Sequence, residues 1–229
     1  MRTTKDSLQI LFEDNHIIII NKRCGDITQG DKTGDTPLNE IVKQYLKEKY
    51  NKPGNVFLGT THRLDRPTSG IVIYAKTSKA LERINKMFRD KKIIKTYWAI
   101  VKGHPKKHEN SLTNFVKKKP QLNKSFVYEK EINGSKRAIL HYKLLKKLQN
   151  YSLLEINLET GRHHQIRVQL SNIKHPIKGD LKYGDKRSNK NGGISLHARR
   201  IEFTHPVNKE LIKIVAPTPK EETIWKAHS

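Results

Sequence analysis

The stretch His62-Arg63-Leu64-Asp65-Arg66-Pro67-Thr68-Ser69-Gly70 runs directly into Ile71-Val72-Ile73-Tyr74-Ala75. A polar loop thus delivers one carboxylate, set between two arginines, at the mouth of a short apolar and largely β-branched run, the pattern of a buried strand. A carboxylate among fixed cations is favoured in its charged form. Asp65 is therefore placed to serve as a nucleophile or a base.

Upstream of this stretch, His16-Ile17-Ile18-Ile19-Ile20-Asn21 reads as another buried strand behind a short polar lead. A loop over residues 23–36 follows, holding Gly25, Gly30 and Gly34. Thr36-Pro37 suits the cap and first turn of a helix, and Leu38, Ile41, Val42, Tyr45 and Leu46 then recur at helical spacing to about Tyr50. Downstream, Ser78 is the expected cap of a second helix. Its inner face is Leu81, Ile84, Met87 and Phe88, with Lys79, Arg83, Lys86 and Arg89 outward. Strands are expected over 97–101, 125–130, 138–144, 154–158, 194–203 and 211–215, with a return to helix after Thr160-Gly161. Lys117-Lys118-Lys119 and Lys146-Lys147 read as solvated faces or loops. The class expected is mixed α+β, with no internal repeat.

Forty-six Lys and Arg stand against 22 Asp and Glu, giving a net charge of +24 and a pI near 10.0. A polyanion is the expected partner, and nucleic acid is favoured over a membrane because no apolar run approaches the roughly 18 residues of a spanning helix. Met1-Arg2-Thr3-Thr4-Lys5-Asp6 leads into no signal-peptide core, so a cytoplasmic protein is expected. Self-repulsion makes a monomer the expected state. One cysteine, Cys24, excludes an intramolecular disulfide and a cysteine-based zinc site, and reads as an incidental thiol.

Several chemistries find no support in the residues. Residues 25–36 hold no Walker loop. The acids are too sparse for a metal-dependent nuclease, and adjacent His163 and His164 point in different directions on any regular element. No metal and no cofactor are expected.

The block from His62 to Gly70, with Ile71-Val72-Ile73-Tyr74-Ala75-Lys76-Thr77, resembles the signature of the RluA-type pseudouridine synthases. Further blocks agree in order. They are Glu13-Asp14-Asn15-His16, Lys95-Thr96-Tyr97-Trp98-Ala99, and Thr160-Gly161-Arg162-His163-His164-Gln165-Ile166-Arg167-Val168. His175-Pro176-Ile177-Lys178-Gly179-Asp180, Leu196-His197-Ala198 and Phe203-Thr204-His205-Pro206 complete the series. The resemblance extends from about Leu11 to Val215.

It implies the pseudouridine synthase catalytic fold, a mixed and mainly antiparallel sheet in two halves with flanking helices and a central cleft. It also implies isomerisation of uridine in a ribosomal or transfer RNA stem-loop, without a cofactor. Asp65 would be the catalytic carboxylate, attacking the sugar covalently or removing a C2′ proton to give a glycal. Tyr97 would stack on the flipped base, where an aromatic plane contributes roughly 1–3 kcal/mol. Arg167 would be the basic partner of the acid, and Leu196 the apolar support beneath the tyrosine ring. Arg63 would enter the RNA stack near the flipped nucleotide, with Arg66, Arg162, Lys178 and Lys182 as backbone contacts.

Some positions depart from the family pattern. Arg23 stands where proline is common, and His163 and Gln169 replace commoner threonine and histidine. One catalytic domain over residues 1–229, without a preceding S4-type RNA-binding module, is expected. Two rivals remain from the sequence alone. A non-catalytic RNA-binding or ribosome-assembly factor would tolerate loss of Asp65, and a metal-dependent nuclease would cut RNA until chelated.

Overall fold

A computed structural model describes residues 3–30 and 34–228. Met1 and Arg2 of the polar lead, and 31–33 of the loop expected over 23–36, lie outside the described residues. Two compact units emerge, one of Met1–Ile94 with Ala198–Lys226, the other essentially Lys95–His197.

The first unit is organised around β4 (Ser69–Ala75), every residue of which is buried. Strand β2 (Ile17–Lys22), likewise fully buried, pairs with it antiparallel from Ile17 opposite Ala75 to Lys22 opposite Gly70. Strand β10 (Leu196–Thr204) is its neighbour on the other edge, and because residues on both faces are buried as well, the run reads continuously apolar rather than alternating. Strand β1 (Ile10–Glu13) pairs with β2, β11 (Leu211–Val215) with β10, and the two-residue β3 (Gly59–Thr60) with β4. Helix α1 (Leu38–Lys49) buries Leu38, Ile41, Val42 and Leu46, the face its spacing predicts. Helix α2 (Ser78–Arg89) buries Ala80 and Ile84.

In the second unit the antiparallel strands follow the order β5 (Ile94–Lys102), β9 (Tyr151–Leu158), β8 (Lys136–Lys147), β6 (Glu109–Lys119) and β7 (Lys124–Tyr128). Helix α3 (Gln165–Asn172) lays Val168 against Val116, Ala138 and Tyr183.

Several boundaries move. Thr77, not Ser78, caps α2, its side chain accepting from Ala80 N at 3.2 Å. Pro37 is itself the N-cap of α1, and no side chain caps that helix. Arg83 is not simply outward, because its Nη1 donates to Pro206 O at 2.9 Å. Of the two readings of residues 117–119, the solvated face holds: they end β6, with Lys118 and Lys119 exposed.

Candidate active site

In the first unit, residues 61–68 leave the sheet and need other partners for their backbone. Side chains supply them. Thr61 Oγ1 donates to Ile73 O at 2.8 Å, and His62 Nε2 accepts from Ile73 N at 3.1 Å, which assigns the neutral His62 its proton on Nδ1. The Thr28 hydroxyl brackets Leu64, donating to its carbonyl at 3.2 Å and accepting from its N–H at 3.3 Å. Thr28 is held in turn by the Tyr74 hydroxyl, which donates to Thr28 O at 2.8 Å. Strand β4 thereby fixes the residue next to Asp65 through two side chains.

Asp65 then opens a tight turn, its carbonyl accepting from Thr68 N at 3.0 Å. The turn is closed from below by Lys22. That lysine is 1% exposed, and its ammonium donates to three carbonyls, Arg23 O at 2.9 Å, Asp26 O at 2.8 Å and Arg66 O at 3.2 Å. Burial pulls the Lys22 amine down to about 8, against the opposing pull of Asp26, Cys24 and Asp65. Arg66 O also accepts from Gly25 N at 2.9 Å. The Arg66 guanidinium meets Asp35 at 2.7 Å, so part of its charge is engaged locally. Arg63 is exposed, while Asp65 is half-buried.

The second unit holds Tyr97, Arg162, Arg167 and Leu196. Tyr97 is buried on β5 opposite Ile156, and Ile100 N on the same strand donates at 2.9 Å to Ser195 O, next to Leu196. Arg167 lies on α3 with 5% exposure and makes a two-pronged ion pair with Asp180, Nε to Oδ2 at 2.7 Å and Nη2 to Oδ1 at 3.0 Å. Its guanidinium carbon stands 5.0 Å from the Tyr183 ring centre. The Tyr183 hydroxyl accepts from Ser125 N at 2.8 Å and lies 2.9 Å from His164 Nδ1. A planar fork gripped on one edge and backed by a ring keeps one orientation, which a lysine would not. Arg162 instead turns its Nε to Arg137 O at 2.9 Å, on the surface. Lys178 donates to Asn189 Oδ1, and Lys182 to Asn123 O, 59 positions away in sequence.

Arg63, Asp65 and Arg66 thus share one braced loop of the first unit, and Tyr97, Arg162, Arg167 and Leu196 belong to the second. Lys22, Thr28, Asp180 and Tyr183 have no role legible in the sequence pattern. Asp180 and Tyr183 stand 13 and 16 positions beyond Arg167, and nothing in that spacing marks them as partners. Among the described residues no group of three or more His, Cys, Asp or Glu is placed to hold a metal ion, and no helix is long and apolar enough to cross a membrane.

The family described as RNA pseudouridylate synthase matches residues 16–172, a span that includes Asp65, Tyr97 and Arg167. An uncharacterised RNA pseudouridine synthase of Synechocystis is 35% identical over 93% of the chain, which spans 66% of that relative. Ribosomal large subunit pseudouridine synthase D of Zymomonas mobilis is 31% identical over 93% of the chain, which spans 70% of it. Among solved structures, human RNA pseudouridylate synthase domain containing 4 superposes with a TM-score of 0.80 at 22% identity, covering 96% of this chain and 92% of that one, a likeness of fold.

Proposed function

The chain belongs to the RNA pseudouridylate synthase family, and on that premise we propose that it isomerises particular uridines of a structured RNA, with Asp65 as the catalytic carboxylate. The bond from C1′ to N1 breaks, the uracil turns, and C5 joins C1′. The hydrogen on C5 leaves as a proton and N1 takes one up, so the atoms balance with no cofactor. Asp65 acts on the ribose, either covalently at C1′ or as a base at C2′. Tyr97 holds the base by stacking and is well placed chemically to assist at C5, Leu196 supports its ring, and Arg167 serves the carboxylate. Arg63 enters the RNA stack, and Arg66 and Arg162 contact the RNA backbone.

The observation that carries this reading is the bracing of Asp65, whose neighbours Leu64 and Arg66 are held by Thr28 and Lys22. Catalysis by a single carboxylate requires such a fixed position, because misplacement by about 1 Å can cost on the order of a hundredfold. A mere RNA-binding surface does not require it. The names of related enzymes make large-subunit ribosomal RNA the first target to examine, with transfer RNA second. A monomer acting in the cytoplasm fits the charge of the chain.

The test uses RNA carrying 5-tritiated uridine, isolated from a strain lacking the protein. Wild type releases tritium, and Asp65→Asn, which keeps shape and removes the charge, lowers release by at least about a thousandfold while still binding RNA. Equal release from both proteins defeats the catalytic role. Binding with no release from either leaves the non-catalytic RNA-binding reading standing instead.

A further inference from the structure

The lysine run at 117–119 is organised by the fold into one tip. Strand β6 ends in Lys117-Lys118-Lys119, a 3-10 turn follows over Pro120–Leu122, Asn123 takes the left-handed conformation at φ 43°, and β7 begins with Lys124. Residues 117–124 hold four lysines and no acid. A second turn, Leu181–Tyr183, is tied against this tip, because Lys182 Nζ donates to Asn123 O at 3.0 Å and Lys124 Nζ lies 5.3 Å from the Tyr183 ring centre. Each turn presents a bare leucine beside that contact. Leu122 and Leu181 are both 58% exposed, among the most exposed large apolar side chains described.

Two bare leucines on turns tied together, beside four lysines in a stretch that holds no acid, set an apolar spot in a cationic field, which suits a polyanion that also carries apolar faces. A nucleobase freed from its stack offers an apolar face, and the phosphates on either side of it meet the lysines. We propose that this hairpin tip is a second RNA-docking surface, on which Leu122 and Leu181 receive an unstacked base of a single-stranded loop while Lys118, Lys119 and Lys124 hold its flanking phosphates. Apolar side chains serve nucleic acids in this way when they insert against base faces.

The tip is also rigidly connected within its unit. Ser125, next to Lys124, donates its N–H to Tyr183, and the Tyr183 ring backs Arg167. A loop captured at the tip is therefore registered on the element that carries Arg167. The inference rests on RNA as the partner, and its test does not depend on catalysis.

Binding is measured over a salt series with an RNA hairpin carrying a ten-nucleotide single-stranded loop and with a fully paired duplex of the same composition. Changing Lys118, Lys119 and Lys124 together to alanine flattens the plot of log Kd against log salt by about two, since each phosphate contact contributes roughly 0.7 to 0.9 to that slope. The same loss of charge at Lys106, Lys107 and Lys147, all exposed in the same unit, leaves the slope near that of wild type. Leu122→Ser with Leu181→Ser weakens binding to the looped RNA about three- to tenfold, without changing the slope or the affinity for duplex. All eight positions are outside the core, so unchanged melting curves accompany these effects.

Equal flattening by both alanine triples means a diffuse field and overturns the proposal, as does a wild-type affinity for looped RNA in the leucine variant. Tritium release by Asp65→Asn decides the catalytic reading separately. A protein with no isomerase activity that shows these binding shifts would keep the surface and lose the enzyme.

Discussion

At Gly70, φ is +111° and a Cβ would fall 2.4 Å from Ala198 O and 2.5 Å from Ala198 N, both backbone atoms of β10. No flexible side chain can yield there. Gly70→Ala combines left-handed strain with a backbone clash, together roughly 2–5 kcal/mol, so the expected variant melts about 10 °C lower or fails to accumulate. Thermal unfolding followed by circular dichroism measures it, and a midpoint within 2 °C of wild type contradicts the close approach. Gly179 is similarly confined, with φ +87° and Asn189 at 2.7 Å from a built Cβ, directly before the Asp180 that grips Arg167. Asp65, Tyr97 and Arg167 could be named from sequence because each sits in a block matching a known family. Lys22 could not be understood that way. A lysine in sequence reads as surface, and only the convergence of three backbone carbonyls on its ammonium explains why this one is buried.

Among elements, the joint of β1, α1 and β4 depends on one acid. Glu13, the last residue of β1, accepts from Tyr45 at 3.0 Å and Lys49 at 2.7 Å on α1, from Tyr50 at 2.7 Å, and from Lys76 at 2.9 Å beyond β4. Burial alone would raise its carboxyl, but the hydrogen bonds from Lys49, Lys76, Tyr50 and Tyr45 outweigh it and bring the group down to about 2. A carboxyl depressed in the folded state adds stability that is complete above its unfolded value near 4.5 and is lost as pH falls toward 2. Glu13→Gln should therefore destabilise the protein by about 1–3 kcal/mol at neutral pH, and that difference should shrink between pH 4.5 and 2. Denaturant titrations of both proteins across that range provide the check, and a difference that does not change with pH removes the ionic contribution.

The strands that sequence reading passed over have physical causes of the same local kind. Only Leu112 and Val116 of β6 are buried hydrophobics, and between them Asn114 satisfies a side chain, accepting from Gln169 Nε2 at 2.8 Å. Its alternation is real but half polar, so it lacks the apolar signal that exposed β2, β4 and β9 at once. Strand β1 is short, and all four of its residues are only partly buried. Helices α1 and α2 were legible because their faces repeat over a full 12 residues each.

At the scale of the whole molecule, an excess of 24 positive charges is carried on a packed α+β framework rather than on a tail, so binding to RNA should lose several decades of affinity between low and moderate salt. The first unit is also discontinuous, since residues 1–94 need 198–226 to complete it. The sheet position of β10 beside β4 gives this arrangement a cost in time. When β4 leaves the ribosome, the strand that will cover its open edge has more than a hundred residues still to be made. At about 5–20 residues per second that interval is roughly 6–25 s, during which the edge of β4 beyond its short pairing with β3 at Tyr74 and Ala75 waits uncovered. A chain ended before Ala198 should then be digested rapidly within its first 94 residues by a protease that the full chain resists, and a resistant fragment would refute this. Slowing translation between residues 75 and 198 should therefore lower the yield more than slowing it anywhere else.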